Sequence, residues 1–202
     1  MTPFETALAR IKSIPLRKGR RIIAIAGAPG SGKSTLAQQL GAAIDGACVV
    51  PMDGFHRDND DLQKHGLLHI KGAPQTFDAI GFVALIQGLR NTEMLTFPTF
   101  DRDADQTVPN GGQVSATDTT VIVEGNYLLL NTAPWNALAD IWDFTILLDV
   151  PMPVLRERLV ARWKEHGHDE AGALARAGEN DLPNARLVAT QSQVADLRLG
   201  SD

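Results

Sequence analysis

Four short, nearly unbroken apolar runs, at residues 21–26, 47–52, 119–123 and 144–149, are rich in Ile and Val and bounded by turn or helix signals. Runs of this length and makeup predict buried β-strands. Because they do not alternate strictly with polar residues, both faces are expected to be covered, as in a parallel sheet flanked by helices. Helical spacing of apolar residues marks 2–13, 33–44, 78–90, 153–166 and roughly 170–177, and Asp78 is placed to cap its helix. Strands alternating with helices predict an α/β doubly wound domain. Residues 185–190 read as an edge strand.

Two polar segments, 54–77 and 92–118, interrupt this rhythm. Loops of that length in a compact domain are usually functional. Asn110-Gly111-Gly112 inside the second predicts a tight hairpin turn. With 202 residues the chain fits one domain. Residues 1–19 are then an amino-terminal helix and linker, and 153–178 a helical region over the site.

The composition, 44% hydrophobic and 21% charged, is that of a soluble protein, and the net charge of −5 argues against nucleic acid as a partner. Cys48 is the only cysteine, which excludes an internal disulfide and suits a reducing cytoplasm. Its apolar surroundings predict a buried spectator thiol. No run approaches about 18 uninterrupted apolar residues, and the first residues lack the basic-then-apolar layout of a secretory signal. The expectation is a cytoplasmic protein without membrane partners.

Chemistry enters at Gly27-Ala28-Pro29-Gly30-Ser31-Gly32-Lys33-Ser34, followed by Thr35, which matches G-x-x-x-x-G-K-[ST] without a mismatch. Glycines let successive backbone N–H groups curl around phosphate oxygens, and the helix opening at Lys33 turns its positive end to the same anion. Lys33 then bridges the β- and γ-phosphates of ATP, and the Ser34 hydroxyl ligates Mg²⁺. The motif follows an apolar run and opens a helical one, the context it requires.

Acids follow two other apolar runs. Glu124 ends 121–124 and is the candidate second ligand of Mg²⁺. Asp53 follows 47–52 and projects into the crevice beyond the strands' carboxyl ends, where it is the candidate base for an acceptor hydroxyl; the other reading places it among the waters of the metal. Arg158 and Arg162, four apart on one helix face, are candidates to fold over the phosphates as a catalytic lid. Trp135, Trp142 and Trp163 are scattered and read as core packing.

Together the phosphate loop, Met52-Asp53-Gly54-Phe55-His56, the stretch from Lys71 to Asp78, Phe97-Pro98-Thr99-Phe100-Asp101-Arg102 and Val123-Glu124-Gly125-Asn126-Tyr127 resemble the uridine kinase, phosphoribulokinase and pantothenate kinase family. Within it the chain is most similar to bacterial proteins labelled "putative fructose transport system kinases". The resemblance spans about residues 20–190. It implies a three-layer P-loop fold with acceptor-site insertions and a helical lid, Asp53 as acceptor base, and Glu124 near magnesium. It also implies that His56, Arg57, Asp101 and Arg102 wall the pocket of a sugar, sugar phosphate or nucleoside-like acceptor. Arg102 has a second reading, a surface ion network with Asp101, Asp103 or Asp105. Asn180 to Asn184 resembles a segment of the fructose-kinase-labelled group on the adenine side, with an Asx-Pro turn as the other reading. The implied activity is ATP-dependent phosphorylation of a small metabolite, and a homodimer is the assembly considered. The rival class is a P-loop ATPase switch acting on a protein.

Overall fold

The structure, a computed structural model, describes residues 1–200. In chain order the elements are α1 (Pro3–Ser13), β1 (Arg21–Gly27), α2 (Lys33–Ala43), β2 (Ala47–Pro51), α3 (Asn59–Lys64), α4 (Ala79–Gly88), β3 (Leu95–Asp101), β4 (Gln106–Val114), β5 (Thr120–Gly125), β6 (Phe144–Asp149), α5 (Met152–Glu165), α6 (Glu170–Arg176), α7 (Leu182–Gln191) and β7 (Leu197–Gly200). Five strands form one parallel sheet in the order β2-β5-β1-β6-β7, and β3 pairs with β4 in a separate antiparallel hairpin.

The apolar runs became two-faced strands for the reason their pattern implies. Along β1, Ile22, Ala24 and Ala26 pack on one side with Phe82 of α4, while Ile23 and Ile25 pack on the other with Ile11 of α1 and Leu40 of α2. Ile22, Ile23 and Ile25 are wholly buried, each worth about 1.5–3 kcal/mol in removal from water. Thr2 and Glu5 close a capping box at α1, and the Asp78 side chain accepts from Gly81 N as the cap of α4. Arg20 stays buried by donating to the carbonyls of Leu89 (2.6 Å), Ser115 (2.8 Å) and Asp118 (2.9 Å), which ties the second insertion to the sheet. Cys48 is half-buried, and burial pushes its thiol up to about 11, as befits a spectator.

Two local expectations are corrected. Residues 185–190 lie in α7 and not in an edge strand; Leu182, Ala185 and Val188 are buried at helical spacing, and β7 takes the sheet edge instead. Asn110-Gly111-Gly112 lies inside β4, and the hairpin reverses at residues 102–105, where Asp105 takes φ +50°. These two glycines serve close approach across the hairpin: a Cβ on Gly111 would meet Thr99 Oγ1 at 2.0 Å, and one on Gly112 the Phe97 ring at 2.2 Å.

Candidate active site

The phosphate loop leaves β1 at Gly27 and enters α2 at Lys33. Gly30 (φ +77°) and Gly32 (φ +91°) adopt the left-handed conformation that side chains disfavour. No side chain caps α2, so the amides of its first turn remain available to a ligand anion. The Ser31 hydroxyl is buried there without a partner among the described residues.

Strand order brings the acids to this loop. Glu124 pairs in register with Ile25 of β1 on one side and Pro51 of β2 on the other, so it stands between the phosphate loop and the turn that carries Asp53. Its carboxylate is 5% exposed and accepts from Ser34 Oγ at 3.1 Å. Burial pushes the Glu124 carboxyl above its ordinary value, and the Lys33 charge pulls it part of the way back. Ser34 and Glu124 are hard oxygen donors beside free amides, a set that fits Mg²⁺ next to phosphate. No cluster of three or more His, Cys, Asp or Glu that could hold a metal exists among the described residues, so such an ion would complete its shell with phosphate and water.

Asp53 lies two residues beyond β2, in a 3₁₀ turn spanning Met52–Phe55, and its Oδ2 accepts from Arg102 Nη2 at 2.5 Å. Arg102 therefore pairs with Asp53, and not with Asp101, Asp103 or Asp105. Both line an open crevice of about 900 Å³ that also reaches Lys33 and His56. His56 stacks on Phe77 at 4.1 Å between ring centroids, and burial pushes its imidazole down to about 4, with Asp53 working against that shift. The ring is thus neutral at physiological pH.

Arg57 and Asp101 do not line the crevice. Arg57 Nε donates to Asp61 Oδ2 at 2.6 Å, which holds α3, and Asp101 Oδ1 accepts from the amides of Asp103 and Ala104, both at 3.0 Å, which shapes the hairpin turn. Their polar groups are committed to local structure. Arg158 Nη1 donates to the Gly30 carbonyl at 3.3 Å, and Arg162 pairs with Asp181 at 3.3 Å on the crevice wall. Trp163 packs against the cluster of Leu155, Leu159 and Leu182 as expected, and it also lines the crevice, where Nε1 donates to Asp181 Oδ2 at 2.6 Å. Asn180 to Asn184 forms no Asx-Pro turn but continues from a π-helical segment, Ala177–Asp181, into α7, and Asn180 Nδ2 donates to the Lys71 carbonyl at 2.8 Å.

Lys71 and Asp105 are crevice residues that sequence reasoning did not single out. Lys71 Nζ reaches Asn59 Oδ1 at 2.7 Å and Asp105 Oδ1 at 2.8 Å, and lies 4.9 Å from the Phe100 ring centroid. Burial alone would raise the Asp105 carboxyl, yet hydrogen bonds from Lys71 and Asn59 hold it below its ordinary value. The sequence signals are slight: Lys71 opens the Lys71 to Asp78 motif, and Asp105 enters only as an alternative partner of Arg102.

With this geometry in view, residues 22–199 match the Phosphoribulokinase / Uridine kinase family. The chain belongs to this family. A solved structure described as a "putative fructose transport system kinase" from Silicibacter sp. TM1040 is 43% identical, with a TM-score of 0.94, and the match covers 98% of this chain and all of that one. A "putative uridine kinase" of Schizosaccharomyces pombe is 32% identical over 98% of this chain and 91% of its own length. A protein of Escherichia coli K12, YggC, is 35% identical over 96% of this chain and 83% of its own. This member of the phosphoribulokinase/uridine kinase family is accordingly a kinase, a phosphotransferase with a hydroxyl acceptor on a small molecule. None of its described helices is long and apolar enough to cross a membrane.

Proposed function

We propose that this cytoplasmic kinase transfers the γ-phosphate of ATP to a hydroxyl of a sugar-like metabolite, with Asp53 as the acceptor base. The observation that carries this reading is the convergence of Lys33 and Asp53 on one crevice, with Glu124 bonded to Ser34 beside it. The likeness to a protein described as a "putative fructose transport system kinase" supports a sugar or sugar phosphate as acceptor.

Residues 27–35 hold the triphosphate through main-chain amides, and Lys33 offsets its charge. Mg²⁺ bound by Ser34 and Glu124 would supply further charge neutralisation on the phosphates. Asp53 takes the proton of the acceptor hydroxyl as that oxygen bonds to the γ-phosphorus. The bond from phosphorus to the β,γ-bridging oxygen breaks, and ADP leaves with the electron pair. Arg158, at the Gly30 carbonyl, and Arg162, on the wall, act as the lid that excludes water from the reacting phosphate. His56 offers a neutral polar edge to the acceptor, and the insertions 54–77 and 92–118 form the acceptor side.

An ADP-release screen tests this with fructose, sugar phosphates, uridine and pantothenate as acceptors, each product confirmed by mass spectrometry. A phosphorylated sugar or sugar phosphate is expected. Uridine or pantothenate as the only acceptor would replace the sugar reading, and ADP release indifferent to every acceptor would favour an ATPase switch.

A further inference from the structure

Every aspartate on the crevice wall has a cation assigned to it: Asp105 has Lys71, Asp181 has Arg162, and Asp53 has Arg102. The last pair differs from the others in consequence, because Asp53 is the group that must receive a proton. While Arg102 is bonded to it, one carboxylate oxygen is engaged by a cation. Once Asp53 is protonated, Arg102 has lost its counter-charge.

The construction around Arg102 suits a side chain that changes partner. It opens the β3–β4 turn, whose backbone is held by Asp101 and whose Asp105 is bonded by Lys71 and Asn59. The Arg102 side chain itself is 61% exposed, against 22% for Asp53. An exposed ion pair is weak, so a better-matched anion can draw the guanidinium away while the hairpin stays put. A phosphate or carboxylate offers such a match, with two parallel acceptors for the fork of an arginine, whereas a neutral polyol offers no replacement charge. The surroundings have the same polarity: the crevice wall carries five Lys and Arg side chains against three aspartates, on a chain whose net charge is −5. Such a local excess gathers anions.

We propose that Arg102 is an acceptor-sensing residue that masks Asp53 in the resting enzyme and moves to an anionic group on the acceptor. The acceptor is therefore a polyol bearing a phosphate or a carboxylate. Arg102 thereby sets specificity in two ways: it binds the charged group, and its departure frees the base only when such a group has arrived. This rests on Asp53 being the acceptor base.

The test compares kcat/KM for fructose and ribose with that for fructose 6-phosphate, ribose 5-phosphate and gluconate, in wild type, Arg102→Gln and Arg102→Lys, with ATP affinity as the control for folding. The phosphates and gluconate separate a phosphate requirement from a carboxylate one. In wild type a charged acceptor is expected to exceed its neutral counterpart. In Arg102→Gln that charged-to-neutral ratio falls by roughly tenfold or more, the scale of one charge-assisted hydrogen bond, chiefly through KM, and Arg102→Lys lies between. A preference for neutral acceptors, no turnover of any charged member, or the same ratio in Arg102→Gln as in wild type overturns the proposal. Asp53→Asn separates this from failure of the underlying reading: turnover surviving in that variant removes the base itself, whereas turnover abolished there with an unmoved ratio in Arg102→Gln removes only the sensor.

Discussion

Gly54 runs so close beneath the carbonyl of Pro98 that a Cβ on Gly54 would stand 1.9 Å from that oxygen. The turn that carries Asp53 is thus seated directly on β3, the strand that leads into Arg102. The missing side chain is what brings the base and its partner within reach of each other.

Gly54→Ala therefore forces either the turn or the hairpin to move. Displacement of a reacting group by about 1 Å can cost roughly 10²-fold in rate, and transfer is expected to fall by that order. Nucleotide affinity, set at residues 27–35, should be retained. Steady-state kinetics beside calorimetric ATP titration checks the split; undiminished kcat would mean that this contact does not position Asp53.

Glu124 makes an opposite trade. Its folded carboxyl lies above the unfolded value because of burial, so ionising it in the fold costs stability. Glu124→Gln should raise the melting temperature of the ligand-free protein, by about 2–4 °C for each ~1 kcal/mol relieved, while abolishing magnesium-dependent turnover. A lower melting temperature would show that the carboxylate is stabilising in the absence of metal.

His56 titrates at about 4 in the fold and at its ordinary 6.5 when unfolded, so the unfolded chain binds the extra proton between those values. This contribution to stability is complete above pH 6.5 and is lost as pH falls toward 4. Glu124 contributes the opposite slope, present at low pH and lost as pH rises through its raised value. Comparing wild type with His56→Phe isolates the histidine: the melting temperature of the variant should fall less on going from pH 7 to pH 4.5. Equal losses would refute the buried neutral imidazole.

Arg20 is 7% exposed, is bonded to the buried Leu89 carbonyl and the part-buried Ser115 carbonyl, and does not line the crevice. Arg20→Ala leaves those acceptors without a donor and should destabilise the fold by about 2–3 kcal/mol. Denaturant unfolding measures this. A change below about 0.5 kcal/mol, the usual range for surface substitutions, would place the clamp outside the stability of the domain.

What was legible in the chain is what depends on neighbours in sequence. The phosphate loop is local chemistry, and continuous Ile and Val runs specify strands buried on both faces whatever their order. Asp53 and Glu124 could be read because a parallel sheet sends all its strand ends to one edge. Features decided across the fold were not legible. Nothing in the spacing tells that Arg102 turns to Asp53, 49 residues away, while Arg57 turns to Asp61, four away. Asn110-Gly111-Gly112 has the composition of a turn, but bulky residues on the opposite strand required the glycines. Residues 185–190 alone are too few to separate strand from helix, whereas burial of Leu182, Ala185 and Val188 carries the helical period.

Asp53→Asn keeps the shape of the side chain and removes its basicity, so one paired measurement bears on the whole account: Mg-ATP affinity by calorimetry and phosphoryl transfer to the best acceptor. Affinity close to wild type with transfer reduced by roughly 10²–10⁴-fold is the predicted result. Transfer at the wild-type rate would contradict it.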